Sequence, residues 1–184
     1  MKKNLYIHHH LGLGDHFDCN GMVRYILEKT PFEEVKVFCK DINFSLVKEM
    51  YEDNKNIEVI SLKSNPDLYG KFDSNEYSQV KTIIDQNTVS VSSLSEILEY
   101  GEKHDTVLLV VGHGFYKSVK GKNCWEIFYD QVGIPYEIRK DYFYVKRDTE
   151  QEKNLLQRKN PNDEPFIFIH DDKSRGFEIN KTYL

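Results

Sequence analysis

The segment of residues 5–27 constrains the fold most, because it predicts a strand, a tight turn and a helix in immediate succession. Leu5, Tyr6 and Ile7 form a short apolar run typical of a buried strand. Gly12 and Gly14 allow the backbone to bend sharply after it. The apolar residues that follow have the i, i+3, i+4, i+7, i+8 spacing of one helix face. They are Cys19, Met22, Val23, Ile26 and Leu27. A strand followed directly by a helix is the unit of parallel α/β sheets.

Polar residues are concentrated where this strand passes into the helix. In an open α/β sheet, ligands bind at the carboxyl ends of the strands, which is where these side chains are expected. Asn20 and Arg24 lie one helical turn apart and therefore share a helix face. The candidate ligand-binding residues of this segment are His8, His10, Gly12, Gly14, Asp15, His16, Asn20 and Arg24.

Two more specific interpretations of this segment are weaker. Neighbouring strand residues face opposite sides, so at most His8 and His10 can share a ligand, and no metal site is expected. A dinucleotide fingerprint needs a third glycine, but Phe17 occupies that position, so NAD or FAD is not expected. The amino end of the helix can still hold an anion such as a phosphate or a carboxylate.

Composition excludes several classes of protein. The chain has 184 residues, of which 39% are hydrophobic and 30% charged, as in soluble globular domains. Its net charge of -5 argues against a nucleic-acid partner. No apolar run has the length of a transmembrane segment, and the amino-terminal one is too short for a signal peptide. The three cysteines are odd in number and widely spaced, which favours reduced thiols and a cytoplasmic location.

The rest of the chain continues the alternation of strands and helices. Strands are predicted at residues 35–39, 57–62, 105–111 and 142–145. Helices are predicted after Asp41 or Asn43, within residues 74–86, and from Ser93, Trp125 and Thr149 onwards. Leu155 and Leu156 are expected to face inward on the last of these helices. The predicted fold is an α/β, Rossmann-like open sheet, mainly parallel, with helices on both faces.

The strand of residues 105–111 is continuously apolar, as expected for a central parallel strand. It ends in Gly112-His113-Gly114, so His113 is expected at the same sheet edge as Asp15. A histidine in a loop between two turn glycines is an equally good interpretation.

A change in composition suggests a domain boundary near residue 160. Residues 159–164 are polar and include Pro161, and an apolar run ending in His170 follows them. We expect residues 1–160 to form the first domain, and 161–184 a linker and the first strand of a truncated second domain. Alternatively, that strand closes the edge of the first sheet.

Three groups of short motifs occur in an order found in one enzyme family. The first is Gly12-Leu13-Gly14-Asp15 with the run of residues 20–24. The second is Phe128-Tyr129 with residues 133–136, followed by residues 142–148. The third is residues 169–172 with Arg175-Gly176. Together they resemble GT-B-type glycosyltransferases, in particular the heptosyltransferase-like branch.

This resemblance implies two Rossmann-like domains with the reaction between them, of which this chain would be the acceptor-side half and poorly active alone. A sugar or glycan would be the acceptor, and a nucleotide sugar the donor substrate, with no further cofactor. Asp15 would be the base that deprotonates the acceptor hydroxyl, with His8, His10 or His16 as alternatives. Arg24 and His113 would contact the acceptor. His170, Lys173 and Arg175 would contact the donor.

Two other functions remain open from the sequence. One is a stand-alone Rossmann-like domain that binds a nucleotide or sugar phosphate without catalysis. The other is a hydrolase or metal-dependent enzyme that uses the histidines.

Overall fold

The computed structural model describes residues 3–65, 74–112 and 119–166 and contains five parallel strands. The strands are β1 (Asn4–His8), β2 (Glu34–Lys40), β3 (Ile57–Leu62), β4 (Val89–Val91) and β5 (Thr106–Val110). The helices are α1 (Leu13–Lys29), α2 (Phe44–Met50), α3 (Ser74–Ile83), α4 (Leu94–Lys103), α5 (Cys124–Val132), α6 (Ile138–Asp141) and α7 (Thr149–Lys159). No helix in these ranges is long and apolar enough to cross a lipid bilayer.

The strand order β3-β2-β1-β5-β4 places β1 at the centre of the sheet. Leu5 of β1 is in register with Val35 of β2 and Val107 of β5, so apolar residues align across the middle of the sheet. Central parallel strands are apolar because both of their faces are covered. This confirms the predicted α/β fold with a Rossmann-like open sheet.

The two faces of the sheet pack against different helices. On one face, the strand side chains form the larger core with apolar residues of α1, α2, α4 and α5. On the other face, Phe38, Leu62 and Leu108 form a smaller core with Val80 of α3. The apolar face of α1 is buried as predicted, since Cys19, Met22, Val23 and Ile26 are all inaccessible to solvent.

Local signals define several helix ends. Ser93 and Glu96 form a capping box at the start of α4, where a helix was predicted to begin. Gly133 adopts a left-handed conformation with φ of 77° and ends α5. Strand β4, in contrast, was not predicted, because three residues are too few to show a strand periodicity.

The predicted strand at residues 142–145 is wrong. The segment is irregular and lies along α1, where the backbone N–H of Tyr144 donates to Asn20 Oδ1 at 3.1 Å. The C=O of Tyr144 accepts a hydrogen bond from Arg24 at 3.0 Å. Side chains of α1 thus form the hydrogen bonds of this backbone. In a sheet, a neighbouring strand would form them.

The inward orientation predicted for Leu155 and Leu156 is also wrong. On α7 their side chains are 50% and 45% exposed. The chain divides into two compact units, Met1–Lys146 and Arg147–Leu184, and α7 belongs to the second. Residues 167–184 lie outside the described part, so the predicted boundary near residue 160 and the second-domain strand remain predictions.

The contact between α1 and α6 depends on a glycine. A Cβ atom at Gly21 would lie 2.7 Å from the carbonyl oxygen of Arg139, which is backbone and cannot rotate away. At Gly14, in the same helix, a Cβ atom would meet nothing within 4 Å.

We expect Gly21→Ala to lower the free energy of unfolding by about 1–2 kcal/mol, because overpacking exceeds the gain in helix propensity. Gly14→Ala is the matched control and should raise the free energy of unfolding by about 0.5 kcal/mol. Urea unfolding of both variants measures the difference. Equal stabilisation by both substitutions would contradict the close contact at Gly21.

Candidate functional site

Asp15 lies at the carboxyl edge of the sheet, in the first turn of α1. This helix starts directly after β1, and its N-cap residue Gly12 supplies no capping side chain. A carboxylate in the first turn interacts favourably with the positive end of the helix dipole. The predicted position of Asp15 at this edge is therefore what the structure shows.

Trp125 fixes the orientation of this carboxylate. Its indole N–H donates to Asp15 Oδ1 at 3.0 Å, across a sequence separation of 110 residues. Trp125 is in the first turn of α5, after β5, and β5 pairs with β1. The helices that follow two neighbouring strands therefore meet at Asp15.

The second oxygen of Asp15 lies close to Gly12. A Cβ atom at Gly12 would be 2.7 Å from Asp15 Oδ2, so a larger residue at this position would require the carboxylate to shift. Within the described ranges, no hydrogen bond is donated to Oδ2. In the described part of the chain, one carboxylate oxygen is thus held by Trp125, and the other accepts no hydrogen bond.

His10 and Gly112 lie near this carboxylate. The His10 ring packs against Phe128 with ring centroids 4.8 Å apart. A Cβ atom at Gly112 would be 2.9 Å from His10 Nε2, and Gly112 has a φ of 84°. Burial lowers the pKa of His10, and the Asp15 charge opposes this shift more weakly. At neutral pH His10 is therefore mostly a neutral imidazole.

Gln131 of α5 positions the backbone that follows β5. Its Nε2 donates to the carbonyl of Val110 at 2.8 Å, and its Oε1 accepts from the backbone N–H of Gly112 at 2.8 Å. Sequence reasoning missed both Gln131 and the role of Trp125. Neither has a local signal, since a helical glutamine and a tryptophan at core spacing are common in any α/β domain.

The remaining histidines of the run are buried and separated. His8 packs near Phe38 and Tyr77 on the α3 side of the sheet, whereas His10 lies against Phe128 on the opposite side. The structure thus does not bring His8 and His10 to one ligand. His9 and His16 are fully buried and in edge-to-face contact, with ring centroids 4.5 Å apart.

The burial of His16 argues against the catalytic role considered from the sequence. Its ring has no exposed surface, and burial with the nearby His9 holds its pKa well below the usual value. His16 is therefore neutral at neutral pH and out of reach of a substrate at the protein surface.

The buried His16 makes stability depend on pH. Because its folded pKa is lowered, the unfolded chain binds more protons, and the free energy of unfolding should fall as pH falls below about 6.5. The slope from one such group is at most about 1.4 kcal/mol per pH unit. Urea unfolding from pH 7.5 to 5 should show a smaller slope for His16→Gln than for the wild type. His104→Gln, at the end of α4, is the control, and an unchanged slope in His16→Gln would contradict the assignment.

Arg24 and Asn20 have structural partners. Arg24 donates to both carboxylate oxygens of Asp53, at 2.9 and 2.7 Å. It also donates to Asn20 Oδ1 and to the carbonyls of Met50 and Tyr144, at 3.0–3.1 Å. These bonds join α1 to the end of α2 and to the segment after α6, so Arg24 is largely engaged without an acceptor substrate.

The other predicted contacts cannot be placed. His113, His170, Lys173 and Arg175 lie outside the described residues. Gly14 is exposed in the first turn of α1, near Asp15.

The described side chains offer no group of three histidine, cysteine or carboxylate residues arranged to hold a metal ion. Cys19, Cys39 and Cys124 are free thiols. Burial raises the pKa of Cys39 to about 12, so this thiol is mostly protonated and unreactive at neutral pH.

The site thus consists of an oriented carboxylate, a neutral imidazole and an uncapped helix start at the carboxyl edge of a parallel sheet. Comparisons of the chain with protein-family models, curated proteins and solved structures give no match.

Proposed function

We propose that this chain forms the acceptor-side half of a glycosyltransferase, in which Asp15 is the general base. The observation that carries the proposal is the asymmetric environment of the Asp15 carboxylate. Oδ1 accepts the Trp125 indole hydrogen bond, and Oδ2 lies next to Gly12 and accepts no hydrogen bond from the residues that the structure describes. The sequence resemblance to GT-B enzymes supports the same role.

The chemistry requires such a group. A sugar hydroxyl is a weak nucleophile, and a carboxylate within hydrogen-bond distance can accept its proton as the bond to the donor sugar forms. Asp15 Oδ2 would take this proton, while the nucleoside diphosphate leaves with the bonding electrons. The hydrogen bond from Trp125 restricts the carboxylate to one orientation, which favours a productive geometry.

The second candidate function is a binding domain without catalysis. It is favoured by the start of α1, where Gly12 provides no side-chain cap and Gly14 leaves open space. Free backbone N–H groups at such a helix start can bind a phosphate. In such a binding domain, Asp15 would contact the ligand and would not act as a base.

The release of nucleoside diphosphate discriminates between these functions. The natural protein is incubated with UDP-, GDP- and ADP-sugars, with and without a mixture of acceptor sugars and sugar phosphates. Acceptor-dependent release is the expected result. Calorimetric binding of a sugar phosphate without any release would support the binding domain and contradict the transferase.

A further inference from the structure

Strand β3 forms one edge of the sheet in the part of the chain that the structure describes. It pairs with β2 in parallel, and the backbone N–H of Val35 donates to the carbonyl of Asn56 at 2.9 Å. The backbone groups of successive residues in a strand point to alternate sides. Those of Ile57, Val59 and Ser61 therefore point away from β2 and out of the sheet. Val59 and Ser61 are termed the open edge below.

Both ends of β3 are closed by the chain itself. At the amino end, the N–H of Ile57 donates to the carbonyl of Asn54 at 3.0 Å. At the carboxyl end, Gln79 of α3 binds the backbone of Lys63 as a neighbouring strand would. Its Oε1 accepts from the N–H at 2.8 Å, and its Nε2 donates to the carbonyl at 2.9 Å. Within the described ranges, the outward backbone groups of the open edge between these ends accept and donate no hydrogen bond.

A groove of about 600 Å³ lies beside the open edge, on the face of the sheet that carries α2. Ile57 and Val59 of β3 line it together with Phe44 and Tyr51, from the start and the C-cap of α2. Three glutamates and two lysines also line the groove, so charges of both signs are present. The groove has the size of a ligand site, and its lining suits a large apolar side chain better than a charged one.

The open edge and the groove together have the features of a site that binds peptides by strand addition. In this mode, an extended peptide forms main-chain hydrogen bonds with a sheet edge, and its alternate side chains enter neighbouring pockets. Side chains of the added strand that lie on the same face as Ile57 and Val59 would enter the groove.

A second copy of the chain fits this edge less well than a separate peptide. Pairing Val59 with Ser61 of an antiparallel second copy would set Ile57 of that copy opposite Lys63. The Gln79 amide already occupies this position. Pairing Val59 with Val59 would avoid the amide but place only Ser61 opposite Ile57. The serine is too small to fill the groove.

We propose that the open edge and its groove dock an extended peptide segment of another protein, which becomes the sixth strand of the sheet. A large apolar side chain of this segment enters the groove between β3 and α2. The site lies two strands from β1, about 10 Å across the sheet. It therefore does not depend on the chemistry proposed for Asp15.

NMR titration of the 184-residue chain with a designed peptide tests the site. The probe is a blocked heptapeptide in which three threonines alternate with two phenylalanines between terminal lysines. It should bind with a dissociation constant below about 1 mM. The amide resonances of Val59 and Ser61 should shift more than those of Glu58 and Ile60, whose N–H groups face β2.

Two control peptides test the strand and the groove separately. The first has the same seven residues with the phenylalanines adjacent, so their side chains cannot lie on one face of a strand, and it should bind at least tenfold more weakly. The second has alanine in place of both phenylalanines. It should also bind at least tenfold more weakly, because it cannot fill the groove.

Ser61→Pro and Ser61→Ala are matched variants of the open edge. Proline removes the backbone N–H, and an edge strand tolerates it where this group faces away from the sheet. Ser61→Pro should weaken binding of the alternating probe at least tenfold, whereas Ser61→Ala should bind like the wild type. Circular dichroism checks that both variants are folded. If the proline variant is not, the shifts of the wild-type amides decide the proposal.

The proposal is overturned if the alternating probe does not bind, if the peptide with adjacent phenylalanines binds as tightly, or if a folded Ser61→Pro binds like the wild type. Sedimentation of the chain alone tests the other occupant, and a monomer is expected. A dimer that dissociates in Ser61→Pro but not in Ser61→Ala would assign the edge to a second copy and overturn the proposal.

Discussion

Asp15→Asn is expected to lower kcat for glycosyl transfer by about 10²–10⁴-fold, the contribution of a positioned general base. Asparagine retains an oxygen that accepts the Trp125 hydrogen bond and changes little in size. It cannot accept the proton of an acceptor hydroxyl. The substitution should therefore lower kcat strongly and change KM much less. Acceptor-dependent release of nucleoside diphosphate measures both kcat and KM.

The free energy of unfolding distinguishes a loss of kcat in Asp15→Asn from misfolding. The free energy of unfolding of Asp15→Asn should stay within about 1 kcal/mol of the wild type, because the fold keeps the hydrogen bond. Asp141→Asn is the matched control, since Asp141 is an exposed carboxylate in α6. Wild-type turnover in Asp15→Asn, or an equal loss in Asp141→Asn, would contradict the role of Asp15.

Arg24→Ala is expected to lower the free energy of unfolding by about 3 kcal/mol. The Arg24 side chain is 11% exposed and connects α1, the end of α2 and the segment at Tyr144. Its removal leaves Asp53, which is 21% exposed, without its guanidinium partner. It also removes the stacking of the guanidinium on Tyr51, at 5.5 Å from the ring centroid. The loss of Arg24 leaves the Asp53 carboxylate and the carbonyls of Met50 and Tyr144 without this donor, which is destabilising.

Urea unfolding with two companion variants tests this value. Arg24→Lys keeps the charge but cannot bind Asp53 through two N–H groups, so it should lose part of the stability. Arg147→Ala removes an exposed arginine that pairs with Glu152 and should have no measurable effect. A change in Arg24→Ala as small as that of Arg147→Ala would contradict the structural role, and would restore Arg24 as a candidate acceptor contact.

Periodicity in the sequence predicted most of the sheet and the helix faces. Strands β1 and β5 contain apolar runs, and β2 and β3 mix apolar with polar residues. The buried stripe of α1 has helical spacing, so local pattern and burial agree. The segment at residues 142–145 has the same composition as a strand. It failed to become one because the polar side chains of α1 bind its backbone, which no local pattern reveals.

The site was predicted less completely than the fold. The position of Asp15 at the sheet edge was predicted, because a glycine turn and a helix start specify it. Its partner Trp125 was not predicted, since only the folded chain brings positions 110 residues apart together. Arg24 was expected to bind a substrate, because a sequence shows a charged side chain but not the carboxylate that it meets.

The most direct test of the account uses the one tryptophan in the chain, which is the partner of Asp15. The measurement is the indole N–H resonance of Trp125 during titration with the acceptor sugar that stimulates nucleoside diphosphate release. We predict a saturable shift with a midpoint equal to the acceptor KM, and a smaller shift in Asp15→Asn. Turnover with an indole resonance that does not move would place the chemistry elsewhere and contradict the account.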